Sequence, residues 1–265
     1  RESMMARIIG QNGDPAGAYR AGDNRRGQWR PSSGVDLSSS SPSPVPVGQD
    51  RTEPWYRQAA LRASRLRALK AFGTMAFMVL FFAGYFGVMR NPLAPPTVMP
   101  LTVVDEWIPF TPAAFGVYVS LWAYVSLPPA FLPDRRQLLG YGMWIGALCL
   151  FCLALFWLWP TTIPQDAVDW AAHPGLVMIK GIDLSGNACP SLHVATAVFS
   201  AVWLQHILNS IKAPRWLAIT NWLHCAAIAW STLAIRQHVA VDVLAGSAVG
   251  LVFAVLSLRH LAPRR

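Results

Sequence analysis

Two short stretches carry residues able to do chemistry. "NACPSLH", residues 187–193, brings Ser191 and His193 to the mouth of a long apolar run. "AIRQHVAVD", residues 234–242, sets Arg236, His238 and Asp242 ahead of another. Ionisable side chains are costly beside hydrocarbon and by default mark function. His238 and Asp242 are four residues apart, so a helix puts them on one face. A carboxylate there fixes the imidazole tautomer and raises the basicity that a nucleophile needs. Arg236 stands two residues earlier, and a guanidinium suits phosphate oxygens.

In the first stretch, Ser185 or Asn187 can cap a helix, and Pro190 suits a first helical position because it lacks an N–H. The amides that follow point outward unpaired and make an anion site. Ser191 adds a hydroxyl and His193 sits one turn in. The whole inventory fits phosphoryl transfer through a phosphohistidine. His238 attacks phosphorus, and His193 protonates the departing alkoxide. Arg236, Ser191 and the amides of residues 191–193 balance the charge on the other oxygens. A zinc site built from His193, His238 and Asp242 is the sharpest rival. The adjacent Arg236 disfavours a cation, so no metal and no cofactor are expected.

The elements that must position these residues follow from composition. The chain has 265 residues, 54% hydrophobic and 13% charged. A soluble domain usually carries about 25% charged residues. Apolar runs near the ~20 residues of a bilayer core recur. They predict an all-α integral membrane protein, a bundle of six spans at about 71–89, 113–132, 138–159, 191–208, 216–235 and 239–258. Residues 1–54 are rich in Gly, Ser, Pro and Arg and read as a disordered arm. Residues 55–265 form the six-helix catalytic domain. No apolar signal-peptide core precedes residue 70.

Net charge is +9, and the arginines flank apolar runs. That placement suits anionic lipid headgroups rather than nucleic acid. Arg57, Arg62, Arg65, Arg67 and Lys70 make a basic juxtamembrane helix. Arg135, Arg136, Lys212, Arg215 and Arg259 fall on the same side if six helices alternate. The positive-inside rule then puts both termini in the cytoplasm and the two histidine motifs together at the outer face. Cys149 and Cys152 form a CxxC inside an apolar run, but no further ligands accompany them. His206 and His224 read as packing residues.

"CPSLH" and the set Ser231, Arg236, His238 and Asp242 resemble the second and third signatures of the type 2 phosphatidic acid phosphatase superfamily. The Pro-Ser-Leu-His form, the Arg-Gln-His sequence and "WPTTIP" at 159–164 are most similar to its inositol phosphorylceramide synthase branch. The resemblance spans roughly residues 70–258. It implies a six-helix fold, a metal-independent mechanism, and roles for His193, His238 and Asp242 like those above. Two departures stand out. The family's third signature has an Arg six residues before its His, where this chain has Thr232. Its first, a Lys followed seven residues later by Arg-Pro, has no counterpart on the outer side; Lys180 is the candidate for its charge.

The resulting expectation is a lipid phosphate phosphatase acting on a membrane lipid at the outer face, water being the default acceptor of an open site. The alternative is a headgroup phosphotransferase with a lipid-alcohol acceptor. A proton-coupled transporter is the rival from another class. Transporters place such groups near the midplane on interrupted helices, whereas here they sit at helix ends.

Overall fold

The computed structural model describes residues 53–164 and 186–261. The arm at 1–52 and the loop at 165–185, with Lys180 and Ser185, lie outside the described residues. The described residues all belong to one compact unit, Val47–Arg265.

Two helices open this unit, α1 (Trp55–Ser64) and α2 (Arg67–Arg90). The basic stretch is thus not one helix: Leu66, at φ 56°, breaks it. Lys70 is buried, and its ammonium donates to the carbonyls of Arg62 and Ala130, each at 2.7 Å. It fastens α1 and α2 to the next span rather than facing headgroups. Arg62 donates to Ser210 Oγ at 2.7 Å, docking α1 on the far end of a later helix.

After a short helix α3 (Val103–Trp107), the second apolar run is a chain of short pieces. These are a 3₁₀ turn at Pro112–Ala114, then α4 (Phe115–Val119), α5 (Leu121–Tyr124) and α6 (Leu127–Phe131). Pro112, Pro128 and Pro129 lack the N–H that would continue the ladder. Ser120 Oγ and Ser126 Oγ bond back to the carbonyls of Val117 and Trp122, which competes with a regular helix.

The long helices α7 (Arg135–Leu158), α8 (Leu192–Ser210), α9 (Arg215–Ala234) and α10 (Ala240–Leu261) complete the bundle. Asp134 caps α7 by accepting the Gln137 amide at 2.8 Å. Helical segments therefore occupy all six predicted runs. Four of them are long and apolar enough to cross a membrane: Arg67–Arg90, Pro112–Phe131, Arg135–Leu158 and Ala240–Leu261. Helices α8 and α9 fall short because they carry polar residues such as Gln205, His206, Asn209, Asn221 and His224.

Helices α8 and α10 approach very closely. A Cβ at Gly246 would lie 2.4 Å from the Ser191 carbonyl oxygen, and one at Gly250 would lie 2.3 Å from that of Ala195. The spacing is G-x-x-x-G, whose missing side chains let backbones touch. Trp203 Nε1 donates to Ser257 Oγ across the same seam at 2.8 Å. Phe156, Phe199, Leu148 and Trp203 fill the core beside it, each under 2% exposed. Outward residues such as Phe72, Leu80, Leu150 and Leu244 are instead widely exposed. Two parallel two-residue strands, β1 (Thr97–Val98) and β2 (Thr161–Thr162), join the loops at one end, and Thr161 bridges onward to Asn187.

Candidate active site

The close α8–α10 seam decides where the two motifs meet. Ser191 is the N-cap of α8, its Oγ accepting the Val194 amide at 3.3 Å. The cap is therefore neither Asn187 nor Ser185, and Pro190 precedes the helix instead of opening it. Ser191 is fully buried, and its amide donates to the Asp242 carbonyl at 3.0 Å. That bond ties the start of α8 to the first turn of α10. The amides of Leu192 and His193 have no partner among the described residues, as the first turn of a helix leaves them.

His238 ends the tight turn before α10. Its amide and that of Gln237 both donate to the Thr232 carbonyl, at 3.2 and 2.9 Å. Its ring nitrogen Nδ1 lies 3.0 Å from the Ala188 carbonyl and 3.6 Å from Asp242 Oδ2. Asp242 Oδ2 also accepts the Val239 amide at 3.0 Å, so this fully buried carboxylate caps the turn while facing the imidazole. With Nδ1 engaged, Nε2 is the ring atom left for chemistry.

His193 is held differently. Its ring stacks on Tyr118, with centroids 4.3 Å apart and planes 16° apart, and meets the edge of Trp122 at 6.1 Å. Its Nε2 is buried with no hydrogen-bond partner. The two imidazoles are 6.4 Å apart between centroids. Both line one cavity of about 570 Å³. Its remaining walls are mainly aromatic and aliphatic, with Phe77, Phe81 and Tyr85 on one side and Phe115 and Trp122 on the other. A buried unpaired imidazole nitrogen beside a second imidazole, at one end of an apolar cavity, suits an amphiphile whose polar group contacts both rings.

Arg236 lies beside this pair but is already engaged. It adopts φ 56°, an unusual conformation for a non-glycine residue. Its Nη1 and Nη2 donate to the carbonyls of Asp105 and Ile108, at 3.0 and 3.1 Å. Asp105 answers from the other direction: Oδ1 accepts the Ala240 amide at 2.8 Å, and Oδ2 accepts the amide and hydroxyl of Thr102. Arg236 and Asp105 together clamp the loop after β1 onto the His238 turn.

A family model described as the PAP2 superfamily matches residues 71–265, which contain every described group of the site. This chain belongs to the PAP2 superfamily. No curated protein and no solved structure matches the chain. PAP2 superfamily members are generally phosphatases or phosphotransferases, which supports an enzymatic activity of the lipid-phosphoester type for this membrane protein.

Within this PAP2 chain the two histidines, Asp242 and Ser191 come together, and Arg236 adjoins them. Thr232, at the position of the family's usual Arg, is buried with its hydroxyl turned back to the Ala229 carbonyl. Cys149 and Cys152 are buried free thiols in α7. Among the described residues no three His, Cys, Asp or Glu side chains are grouped to hold a metal ion. His224 and His206 pack against Tyr124 and Trp203 respectively.

Three further residues border the two histidines: Tyr118 stacks on His193, Asp105 bonds the turn after His238, and Thr161 bonds the turn before Ser191. Asp105 had a visible signal in Thr102-Val-Val-Asp105, a helix-start pattern. Tyr118 had none, because nothing in an apolar helix marks which aromatic faces a histidine.

Proposed function

We propose that this chain hydrolyses a lipid phosphoester through a phosphohistidine on His238. The observation that carries the reading is the pairing of His193 and His238 at one end of an apolar cavity, with Nδ1 of His238 already held. Nε2 of His238 attacks phosphorus and the P–O bond to the leaving group breaks. The departing alkoxide takes a proton from His193. Water then gives a proton to His193 and attacks phosphorus, the N–P bond breaks, and both histidines return to their starting states.

Asp242 stabilises the positive ring that His238 acquires. The first-turn amides of α8 and the Ser191 hydroxyl lie at the positive end of a helix dipole, which favours the anionic group. Arg236 adds a fixed positive charge two residues from the nucleophile while it holds its loop. Lys180 is proposed as a further cation for the phosphate. The lipid's apolar portion occupies the cavity between α2 and α4–α5.

The six helical runs all cross the membrane in this reading. Ser200, Asn221, Ser231 and Thr232 are buried between the helices, and the exposed His206 and Asn209 lie in the last turns of α8. Basic residues at Arg135, Arg136, Lys212 and Arg215 place those ends in the cytoplasm, with both termini, and leave the site at the outer face. The exposed Arg57, Arg65 and Arg67 contact anionic headgroups on the cytoplasmic side.

Transfer to a lipid alcohol is the second reading. The site is more enclosed than an open water-fed one: His238 is 8% exposed and its cavity is apolar. A hydroxyl-bearing lipid could follow the donor into that cavity. Incubating purified protein with a panel of lipid phosphates, with and without added lipid alcohols, separates the two. Inorganic phosphate as the product supports hydrolysis, and a new phosphodiester lipid supports transfer. Neither product from any lipid would remove both.

A further inference from the structure

A carbonyl can only accept a hydrogen bond. The 3.0 Å contact between the Ala188 carbonyl and His238 Nδ1 therefore puts the ring proton on Nδ1. Asp242 Oδ2 is farther, at 3.6 Å, and is shared with the Val239 amide. The tautomer of the neutral ring is thus set first by a main-chain group, and something must hold that group in place.

Ala188 lies in the short turn Gly186–Cys189, outside any helix. Thr161 holds this turn at three points. Its amide donates to the Gly186 carbonyl at 3.2 Å, and its carbonyl accepts the Ala188 amide at 3.1 Å. Its side-chain Oγ1 accepts the Cys189 amide at 2.7 Å and donates to the Cys189 carbonyl at 3.4 Å. Thr161 is fully buried, and its own strand is pinned from the far side: Thr97 donates to the Pro160 carbonyl at 2.9 Å, and Met99 to that of Thr162 at 2.8 Å. Of these bonds, only those of the hydroxyl depend on the residue type, and the shorter of the two grips the peptide unit containing the Ala188 carbonyl.

We propose that Thr161 is a positioning residue for His238: its hydroxyl fixes the Ala188–Cys189 peptide, whose carbonyl holds the Nδ1–H tautomer and turns Nε2 into the cavity. This rests on His238 being the nucleophile. Valine at 161 keeps the shape and loses the acceptor, leaving the Cys189 amide unpaired. Serine keeps the acceptor.

The test measures kinetics on a lipid phosphate and ¹⁵N shifts of labelled histidine in the full chain, for wild type, Thr161→Val and Thr161→Ser. His238 signals are assigned by their loss in His238→Ala. Wild type should show His238 as the Nδ1–H tautomer. Thr161→Val should lower kcat on the order of 10–100-fold with KM little changed, as losing an outer partner does for metal-bound histidines. Its His238 should become a mixture of tautomers. Thr161→Ser should restore both. The proposal is overturned if Thr161→Val keeps the pure Nδ1–H tautomer, or if serine fails to restore it in a folded protein. Because the tautomer is read without turnover, it separates this proposal from the nucleophile assignment. Full activity in His238→Ala would end the latter while leaving the former measurable.

Discussion

The rings of His193 and His238 stand 6.4 Å apart between centroids, with their planes inclined by 51°. Reacting atoms in a productive geometry lie about 3–3.5 Å apart. Two imidazoles at this separation can therefore address the two ends of one P–O bond, one as nucleophile and one as acid.

The two histidines should fail differently. His238→Ala should abolish turnover of every substrate. His193→Ala should lower kcat by about 10²–10⁴-fold, the usual worth of a positioned acid or base. A substrate whose leaving group needs no proton, such as a nitrophenyl phosphoester, should recover much of that loss in the first step. Equal losses on both substrates would remove the acid role from His193.

The α8–α10 seam should not tolerate side chains. At Gly250 a Cβ would meet the Ala195 carbonyl at 2.3 Å, and that atom is backbone. Overpacking of this kind costs about 1–3 kcal/mol. Gly250→Val should lower the thermal midpoint and part the two motifs, reducing kcat even where the protein still folds. A control at Gly87, where a Cβ would meet nothing within 4 Å, should be neutral in both assays. An unchanged Gly250→Val would show that the seam is looser than described.

Much of this was legible in the sequence, and the remainder failed for identifiable reasons. Apolar run length located all six helical segments to within a few residues. It could not show that the second is broken, because Pro128 and Pro129 sit inside an otherwise continuous apolar stretch. Spacing paired His238 with Asp242, and the two do approach to 3.6 Å, but across the turn that precedes α10: His238 lies before the helix and not on its face. The closer partner is the Ala188 carbonyl, and a main-chain group leaves no trace in residue type. Arg236 read as a phosphate ligand from its guanidinium and its place two residues before His238. Its hold on the carbonyls of Asp105 and Ile108 depends on a loop more than 120 positions away in sequence. Ser191 read as a phosphate-binding hydroxyl; the structure adds that its Oγ accepts the Val194 amide and so also caps α8.

Orientation is checked by labelling. All four native cysteines are buried, so one cysteine introduced at exposed Arg215 reports alone. An impermeant thiol reagent should reach Arg215→Cys only after the membrane is opened. Labelling from outside in intact cells would invert the topology.

The metal rival and the pH profile are tested together. His238 must attack as the neutral ring, and His193 must begin protonated. Rate should fall at low pH as the nucleophile gains a proton and at high pH as the acid loses one. The two limbs belong to the coupled pair rather than to either ring. Activity should survive excess EDTA across this profile. Loss on chelation with recovery on adding zinc or magnesium would recast His193, His238 and Asp242 as ligands to a metal-activated water.

The central claim is the covalent bond to His238, and trapping tests it most directly. Protein mixed with ³²P-labelled lipid phosphate and quenched in alkali should carry label on one peptide. The adduct should be stable to base and labile to acid, should map to His238, and should be missing from His238→Ala while accumulating in His193→Ala, whose second step lacks a base. Label on Ser191, or full turnover with no adduct at His238, would contradict the account.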